Sequence, residues 1–308
     1  MGGCPRALVA SLGITLGVLT GCGADRSTAP PTPSAVGDDA ITVASFDFAE
    51  SRVLAELYAQ ALEGRGLQVR RAIGIGPREL VGPALALGLV ELVPEYAGTA
   101  LGFLSLGRVG ATADAGTTHQ ALEQAAAERH LTALAAAPAQ NANTFAVTRE
   151  TADREHLQKV SDLAAVAPDL TFGGPPECPT RPLCLEGLEQ RYGVHFGHVL
   201  ALDAGGPTTR QALDQGAIDV GLLFTTDPAL ATGDLVALED DRGLQPAENV
   251  TPLVRTEVLD RWGDDVTATL DALSARLTTD VLRRLDAAAA KASPAAVARA
   301  WLREEGLA

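Results

Sequence analysis

The sequence predicts an α/β protein of two lobes, each a sheet flanked by helices, with a ligand cleft between the lobes. Two observations carry this expectation. Strand-like and helix-like stretches alternate along the chain, the pattern of parallel sheets with crossover helices. A helix–glycine–strand unit that closes on an aromatic residue also occurs twice, as Leu85-Ala-Leu-Gly-Leu-Val-Glu-Leu-Val-Pro-Glu-Tyr96 and as Leu213-Asp-Gln-Gly-Ala-Ile-Asp-Val-Gly-Leu-Leu-Phe224. Two sheets with two aromatic exits define a cleft where small molecules commonly sit, and such lobes close by hinge motion.

The elements follow in order. Arg6 precedes an apolar run over 7–19, and the next residues are Thr20-Gly-Cys22. That run is too short to span a bilayer and ends in small residues, so 1–21 reads as a secretory signal peptide. Leu19-Thr-Gly-Cys22 resembles the bacterial lipoprotein cleavage box. The resemblance implies diacylation of Cys22 and attachment to the outer face of the bacterial plasma membrane. Residues 22–40, rich in Pro, Ser and Thr, form a flexible tether.

A strand at 41–45 is followed by a turn at 46–49. A helix comes next, with Leu54, Leu57, Tyr58, Ala61 and Leu62 on its buried stripe. A short strand is expected at 67–70. Gly74-Ile-Gly-Pro-Arg-Glu79 then opens a helix with Pro77 at its first position. As a dinucleotide fingerprint it lacks the third glycine. Leu89, Leu92 and Val93 make a buried strand that Pro94 is expected to end, with Tyr96 delivered beyond it. A helix spans 120–136, and a first crossing between lobes falls at 137–147. Ser161 reads as a helix cap. Strands at 170–172, 199–203, 218–224 and 235–239 build the second lobe, and a second crossing lies at 245–251. Helices over 264–276, 279–291 and 294–304 end the chain. The expected division is 41–139 with 252–308 as lobe 1, and 140–251 as lobe 2.

Charge and cysteine usage narrow the function. The chain has 24 Lys and Arg against 39 Asp and Glu, a net charge of −15; without the leader, which carries Arg6, it is −16. This balance argues against nucleic acid and anionic lipid as partners. Of four cysteines, Cys4 lies in the leader and Cys22 at the lipobox, leaving Cys178 and Cys184. Outside the cytoplasm such a pair forms a structural disulfide closing a tight loop; with no histidine in the loop it makes a poor zinc site. An extracytoplasmic enzyme is the rival reading, but no Gly-x-Ser-x-Gly elbow and no HExxH motif is present. His195 and His198 read as surface residues with no acidic partner. Trp262 and Trp301 read as core anchors of the last helices. Asn249-Val-Thr251 is a glycosylation sequon by pattern alone.

Taken in order, Leu54-Ala-Glu-Leu-Tyr58, Pro83-Ala-Leu85, Pro94-Glu-Tyr-Ala-Gly-Thr99, Asn143-Thr-Phe145, Ser161-Asp-Leu163, Glu177 with Arg181, Thr225-Thr-Asp227 and Leu238-Glu-Asp-Asp241 resemble the solute-binding proteins of ABC importers for glycine betaine, choline and related osmoprotectants. The resemblance covers the chain beyond the tether. It implies a periplasmic-binding-protein-like fold and capture of a solute for an ABC permease with its ATPase subunits. The protein would act as a monomer without cofactor, metal or catalysis. A trimethylammonium group has no N–H to donate, so aromatic faces hold it; a carboxylate tail goes to an arginine or lysine. By resemblance Tyr96, Phe145 and Phe224 supply aromatic faces, Arg181 the anion contact and Thr99 a supporting hydroxyl.

Two positions depart from the family pattern. Phe46 stands where a lysine is common, and Glu248 stands near a usual box tyrosine. Glu248 suits direct pairing with a cation and favours choline over betaine. The phenylalanines equally suit offset stacking on a planar aromatic or phenolic solute. Both ligand classes stay open at this point.

Overall fold

A computed structural model describes residues 40–307. The expected leader, the Cys22 lipidation site and the tether up to residue 39 lie outside the described residues. Among these there are ten strands: β1 (Ile41–Phe46), β2 (Val69–Gly76), β3 (Leu92–Tyr96), β4 (Leu131–Ala133), β5 (Asn143–Thr148), β6 (Thr171–Gly174), β7 (His198–Ala201), β8 (Val220–Phe224), β9 (Leu235–Ala237) and β10 (Val250–Arg255). They form two five-stranded sheets, ordered β2-β1-β3-β10-β4 and β7-β6-β8-β5-β9. Each sheet has its own core. The first centres on β1, every residue of which is buried, and on the helix Ala49–Gly64, whose Leu54, Leu57, Tyr58 and Leu62 are wholly enclosed. The Tyr58 hydroxyl meets the Ser274 hydroxyl at 2.8 Å, so this core phenol is not left without a partner. Trp301 closes the same core from the C-terminal helix Pro294–Glu304. The second sheet buries Phe145, Phe172, Leu163 and Leu188 on one side and Leu213, Ile218 and Leu223 in a smaller cluster.

Both sheets are mixed rather than parallel as expected. β1, β2 and β3 are parallel, but β10 runs antiparallel to β3 and β4. Likewise β6 is parallel to β7 and β8, while β5 is antiparallel to β8 and β9. The reversed strand in each sheet is the one that arrives from the other lobe. Alternation of strands and helices does not encode this reversal, because only the crossing determines a strand's direction of entry. The two crossings lie side by side: Gln140 bridges Asn249, Val250 N–H donates to Ala139 O at 3.0 Å, and Asn141 N–H donates to Glu248 O at 3.1 Å.

Several element boundaries differ from expectation. Pro94 does not end its strand. It lies inside β3 opposite Pro252, and the Pro252 carbonyl accepts from Leu134 N–H on the far side. The two prolines, which have no N–H to donate, therefore face each other at a pair position that exchanges no hydrogen bond. β2 runs to Gly76, well past residue 70, because Gly74 and Gly76 hold positive φ that lets the strand bend at its end. Pro77 consequently sits before the helix Arg78–Ala86 rather than inside it. The alanine-rich segment is split into the helix Ala115–Ala127 and β4, with His130 at φ 56° ending the helical path. Ser161 is not the cap of its turn; the Asp162 carboxylate accepts from Gln158 and Lys159 N–H instead. His195 lies 3.8 Å from Glu189, both exposed, and His198 begins β7, so the pair does have an acidic neighbour. Asn249 and Thr251 of the sequon pattern are buried.

Cys178 and Cys184 form a disulfide, with Cα atoms 5.3 Å apart. It closes the loop that leads into the helix Leu185–Tyr192. Gly187 of that helix lies so close to the loop that a Cβ there would stand 2.0 Å from the Pro182 carbonyl oxygen. Gly187→Ala is therefore expected to destabilise the protein by about 1–3 kcal/mol, as other overpacked sites do, measured by denaturant unfolding.

Candidate functional site

Three strand exits of the first sheet stand side by side, because β2, β1 and β3 are neighbours. β1 ends in Phe46 and passes through Asp47 and Phe48 into the helix Ala49–Gly64. β2 delivers Arg78 in the first turn of its helix. β3 ends in Tyr96, and the helix Ala97–Leu104 that begins there carries Thr99. From the second sheet, β8 ends in Phe224, whose register partner is Asn143 at the start of β5. These residues line a cavity of about 590 Å3 between the sheets, together with Asn141, Leu183 and Glu248.

The aromatic residues form one wall and a facing ring. Phe46 and Phe48 stack with centroids 5.8 Å apart and planes 11° from parallel, and Phe48 stands 6.1 Å from Tyr96. Phe48 is 42 % exposed and Phe224 37 % exposed, so each keeps ring surface open to a solute. A buried carboxylate fixes the far end of this wall. Glu50 Oε1 accepts from the Tyr96 hydroxyl at 2.5 Å and from Asn141 Nδ2 at 2.8 Å. Burial together with the Glu50 charge raises the Tyr96 hydroxyl well above its ordinary pKa, so it stays a donor. Asp286, from the helix Thr279–Ala289, meets the same carboxylate. Burial and the Glu50 charge hold the Asp286 carboxyl well above the usual range, so it keeps its proton and donates to Glu50.

Arg78 is the cation of the cavity, but it is already occupied. Its guanidinium forks onto Glu95, with Nη2 2.8 Å from Oε2, also reaches the Thr99 hydroxyl at 3.0 Å, and lies 5.0 Å from the Phe46 centroid. Asp47 and Glu79 also line the cavity but are exposed; Glu248, 6 % exposed, is the buried carboxylate of the lining, and it forms no ion pair among the described residues. Burial pushes its pKa up to about 7, against the lowering pull of the Thr99 N–H, 3.1 Å from Oε2, and of Arg78. The site is thus a set of aromatic faces around a carboxylate that titrates near neutrality.

The residues expected from the sequence divide in three. Phe46, Tyr96, Thr99, Phe224 and Glu248 come together on the one cavity. Arg181 lies on an adjoining pocket of about 420 Å3 that shares Asn143, Leu183 and Phe224 with it; its side chain makes no ion pair or hydrogen bond among the described residues. Phe145 does not line the cavity. It is 2 % exposed and packs on Phe172 with centroids 6.3 Å apart, because its β5 position points into the second lobe's core. Phe48, Arg78 and Glu50 were missed. Phe48 and Arg78 follow strand exits directly, a signal visible in the sequence. Glu50 had no such signal, since an acid in a first helical turn is ordinary.

The Asp286–Glu50 contact has a measurable consequence. The folded state keeps a proton on Asp286 that the unfolded chain releases near an ordinary carboxylate pKa. Folding therefore takes up a proton, and stability falls as pH rises from that range through neutrality. Asp286→Asn retains a donor toward Glu50 without the titration. Its melting temperature is expected to exceed that of the wild type by a margin that grows with pH, reaching about 2–4 °C; a margin independent of pH would contradict the assignment.

The sequence profile of OpuAC, described as the substrate binding domain of ABC-type glycine betaine transport systems, matches residues 39–304. A glycine-betaine-binding protein of Pseudomonas aeruginosa is 30% identical over 275 residues, covering 84% of this chain and 86% of that protein. An ergothioneine transport permease/ergothioneine binding protein of Helicobacter pylori is 25% identical over 277 residues, covering 89% of this chain but 49% of that longer protein. A crystal structure of a glycine betaine/carnitine/choline ABC transporter protein superposes with a TM-score of 0.80 at 25% identity, over 87% of this chain and 99% of that one. With the two sheets and the cavity between them, these matches establish that the chain belongs to the OpuAC family of substrate-binding domains of ABC-type glycine betaine transport systems.

Proposed function

We propose that this protein captures a solute with a quaternary ammonium head between its two lobes, 41–139 with 252–308 and 140–251, and delivers it to an ABC permease. The observation that carries this is the aromatic wall of Phe46, Phe48 and Tyr96 facing Phe224, with the uncompensated Glu248 carboxylate beside it. A methylated cation is held by ring faces and by a charge that needs no N–H donor in return. Arg78 contributes indirectly: neutralised by Glu95, it positions Thr99 and the Phe46 ring. Choline fits this balance better than glycine betaine, whose carboxylate would meet Glu248. The alternative is a planar aromatic or phenolic solute stacked on the exposed Phe48 and Phe224. Ergothioneine, the solute in the name of the Helicobacter pylori relative, joins a trimethylammonium group to a flat ring able to stack on Phe48 and Phe224, but it carries the same carboxylate beside its head as glycine betaine. Solute uptake stabilises the closed form only by its greater affinity for that form. Anchoring through Cys22 at the outer face of the plasma membrane would keep the loaded protein near its permease.

Thermal-shift screening followed by titration calorimetry tests the ligand class, with choline, glycine betaine, carnitine and ergothioneine beside simple phenols. A melting shift with the onium compounds is expected by mass action, and Phe48→Ala should weaken the best of them by roughly tenfold through the lost ring face. Shifts with phenols alone would overturn the quaternary ammonium reading.

The Glu248 carboxylate makes the affinity pH-dependent. A cation favours the ionised form, so binding releases a proton from Glu248 when the pH lies below its pKa. Choline affinity should accordingly rise with pH by up to about tenfold per unit below pH 7 and level off above it. Glu248→Gln should bind more weakly at pH 8 and show a flat profile; an unchanged profile would remove Glu248 from the site.

A further inference from the structure

A second cavity of about 580 Å3 adjoins the first and shares Thr99, Leu183, Pro246 and Glu248 with it as a common wall. Arg191 and Arg242, both exposed, also line it. Neither guanidinium pairs with a carboxylate among the described residues. Arg191 Nη1 is spent on the carbonyls of Arg242 and Gly243, at 2.9 and 2.7 Å. Arg242 Nη1 donates to the Arg191 carbonyl at 3.1 Å, and its guanidinium lies 5.3 Å from the Tyr192 centroid. The nearby acids are turned to other duties. Asp240 accepts from the Tyr192 hydroxyl and from the N–H groups of Leu244 and Gln245, and Asp241 accepts from Ser161 N–H.

Two guanidiniums are thus held in place by backbone carbonyls, with their remaining donors free. Such a pair is ordered before a ligand arrives, so less side-chain entropy is lost when an anion binds. The charge also changes sign across the joined cavities, from Glu248 on their common wall to the two arginines of the second.

We propose that the second cavity is an anion subsite, and that the preferred solute is an extended zwitterion whose phosphate or carboxylate stands several bonds beyond its quaternary ammonium head. This rests on the quaternary ammonium reading of the first cavity. The head occupies the aromatic wall and neutralises Glu248; the tail passes Thr99 and Leu183 and takes bidentate hydrogen bonds from Arg191 and Arg242. Glycine betaine, with a single carbon between head and carboxylate, lacks such an extended tail. Arg181, on its separate pocket, is not needed for this contact.

Calorimetric titration with choline and with phosphocholine at pH 8 tests it, since the two share one head and differ in the tail. The wild-type protein should bind phosphocholine at least about tenfold tighter than choline. In Arg191→Gln/Arg242→Gln that ratio should fall to near one. Should the double variant fail to melt cooperatively, Arg242→Gln alone keeps the Arg191 clamp on the loop and should lower the ratio at least about threefold. A wild-type ratio near one, or a ratio that survives these substitutions, would overturn the anion subsite while leaving the head site standing. Failure of both compounds to bind would overturn the head site, and this subsite with it.

Discussion

The buried carboxylate of Glu50 is the constraint on which the site depends. It stands at the start of the first helix, 5 % exposed, where the helix N-terminus favours negative charge. Three separate parts of the chain come to it: the Tyr96 hydroxyl from β3, the Asn141 amide from the first crossing and the Asp286 carboxyl from a C-terminal helix. A buried acceptor without donors is costly, so the chain is obliged to bring these groups together. In doing so it fixes the ring of Tyr96 at the end of the aromatic wall and ties the crossing between lobes to the first core.

The cavity's electrostatics follow from how its charges are already spent. Arg78 looks toward the cleft but is matched by the nearly buried Glu95. Its field is therefore largely cancelled, and the buried carboxylate of the lining that forms no ion pair among the described residues is Glu248. That residue sits on the second crossing, whose neighbour Asn141 lies on the first. The segments that join the lobes thus also carry polar groups of the site, which makes solute contact and lobe geometry physically inseparable. Substrate-binding proteins of this family are extracytoplasmic, and among the described residues no helix is long and apolar enough to cross a membrane.

The disulfide loop plays a comparable part from the second lobe. Its short covalent ring contributes roughly 2–3 kcal/mol in the chain-entropy account, and it presents Leu183, which lines the first cavity, its Arg181 neighbour and the arginine-lined extension alike. A single apolar side chain therefore stands where three pockets meet, held by a loop that the bond keeps short.

The sequence by itself determined the fold class, the disulfide and the aromatic exits at Phe46, Tyr96 and Phe224. These are local properties: periodicity, cysteine spacing and the residue at the end of a hydrophobic run. It did not determine that β5 and β10 run against their neighbours, because strand direction depends on which lobe the chain has just left. Nor did it separate Phe145 from Phe224. Both are phenylalanines on one face of one sheet, since Phe224 pairs with Asn143 two residues before Phe145, but Phe145 lies within the strand against the second core and Phe224 stands at the sheet's end on the cleft. Glu50 and the Arg191–Arg242 pair were invisible for a related reason. Their meaning lies in partners 46, 91 and 51 positions away along the chain, and only the folded arrangement decides whether a charged side chain is buried, satisfied or left free.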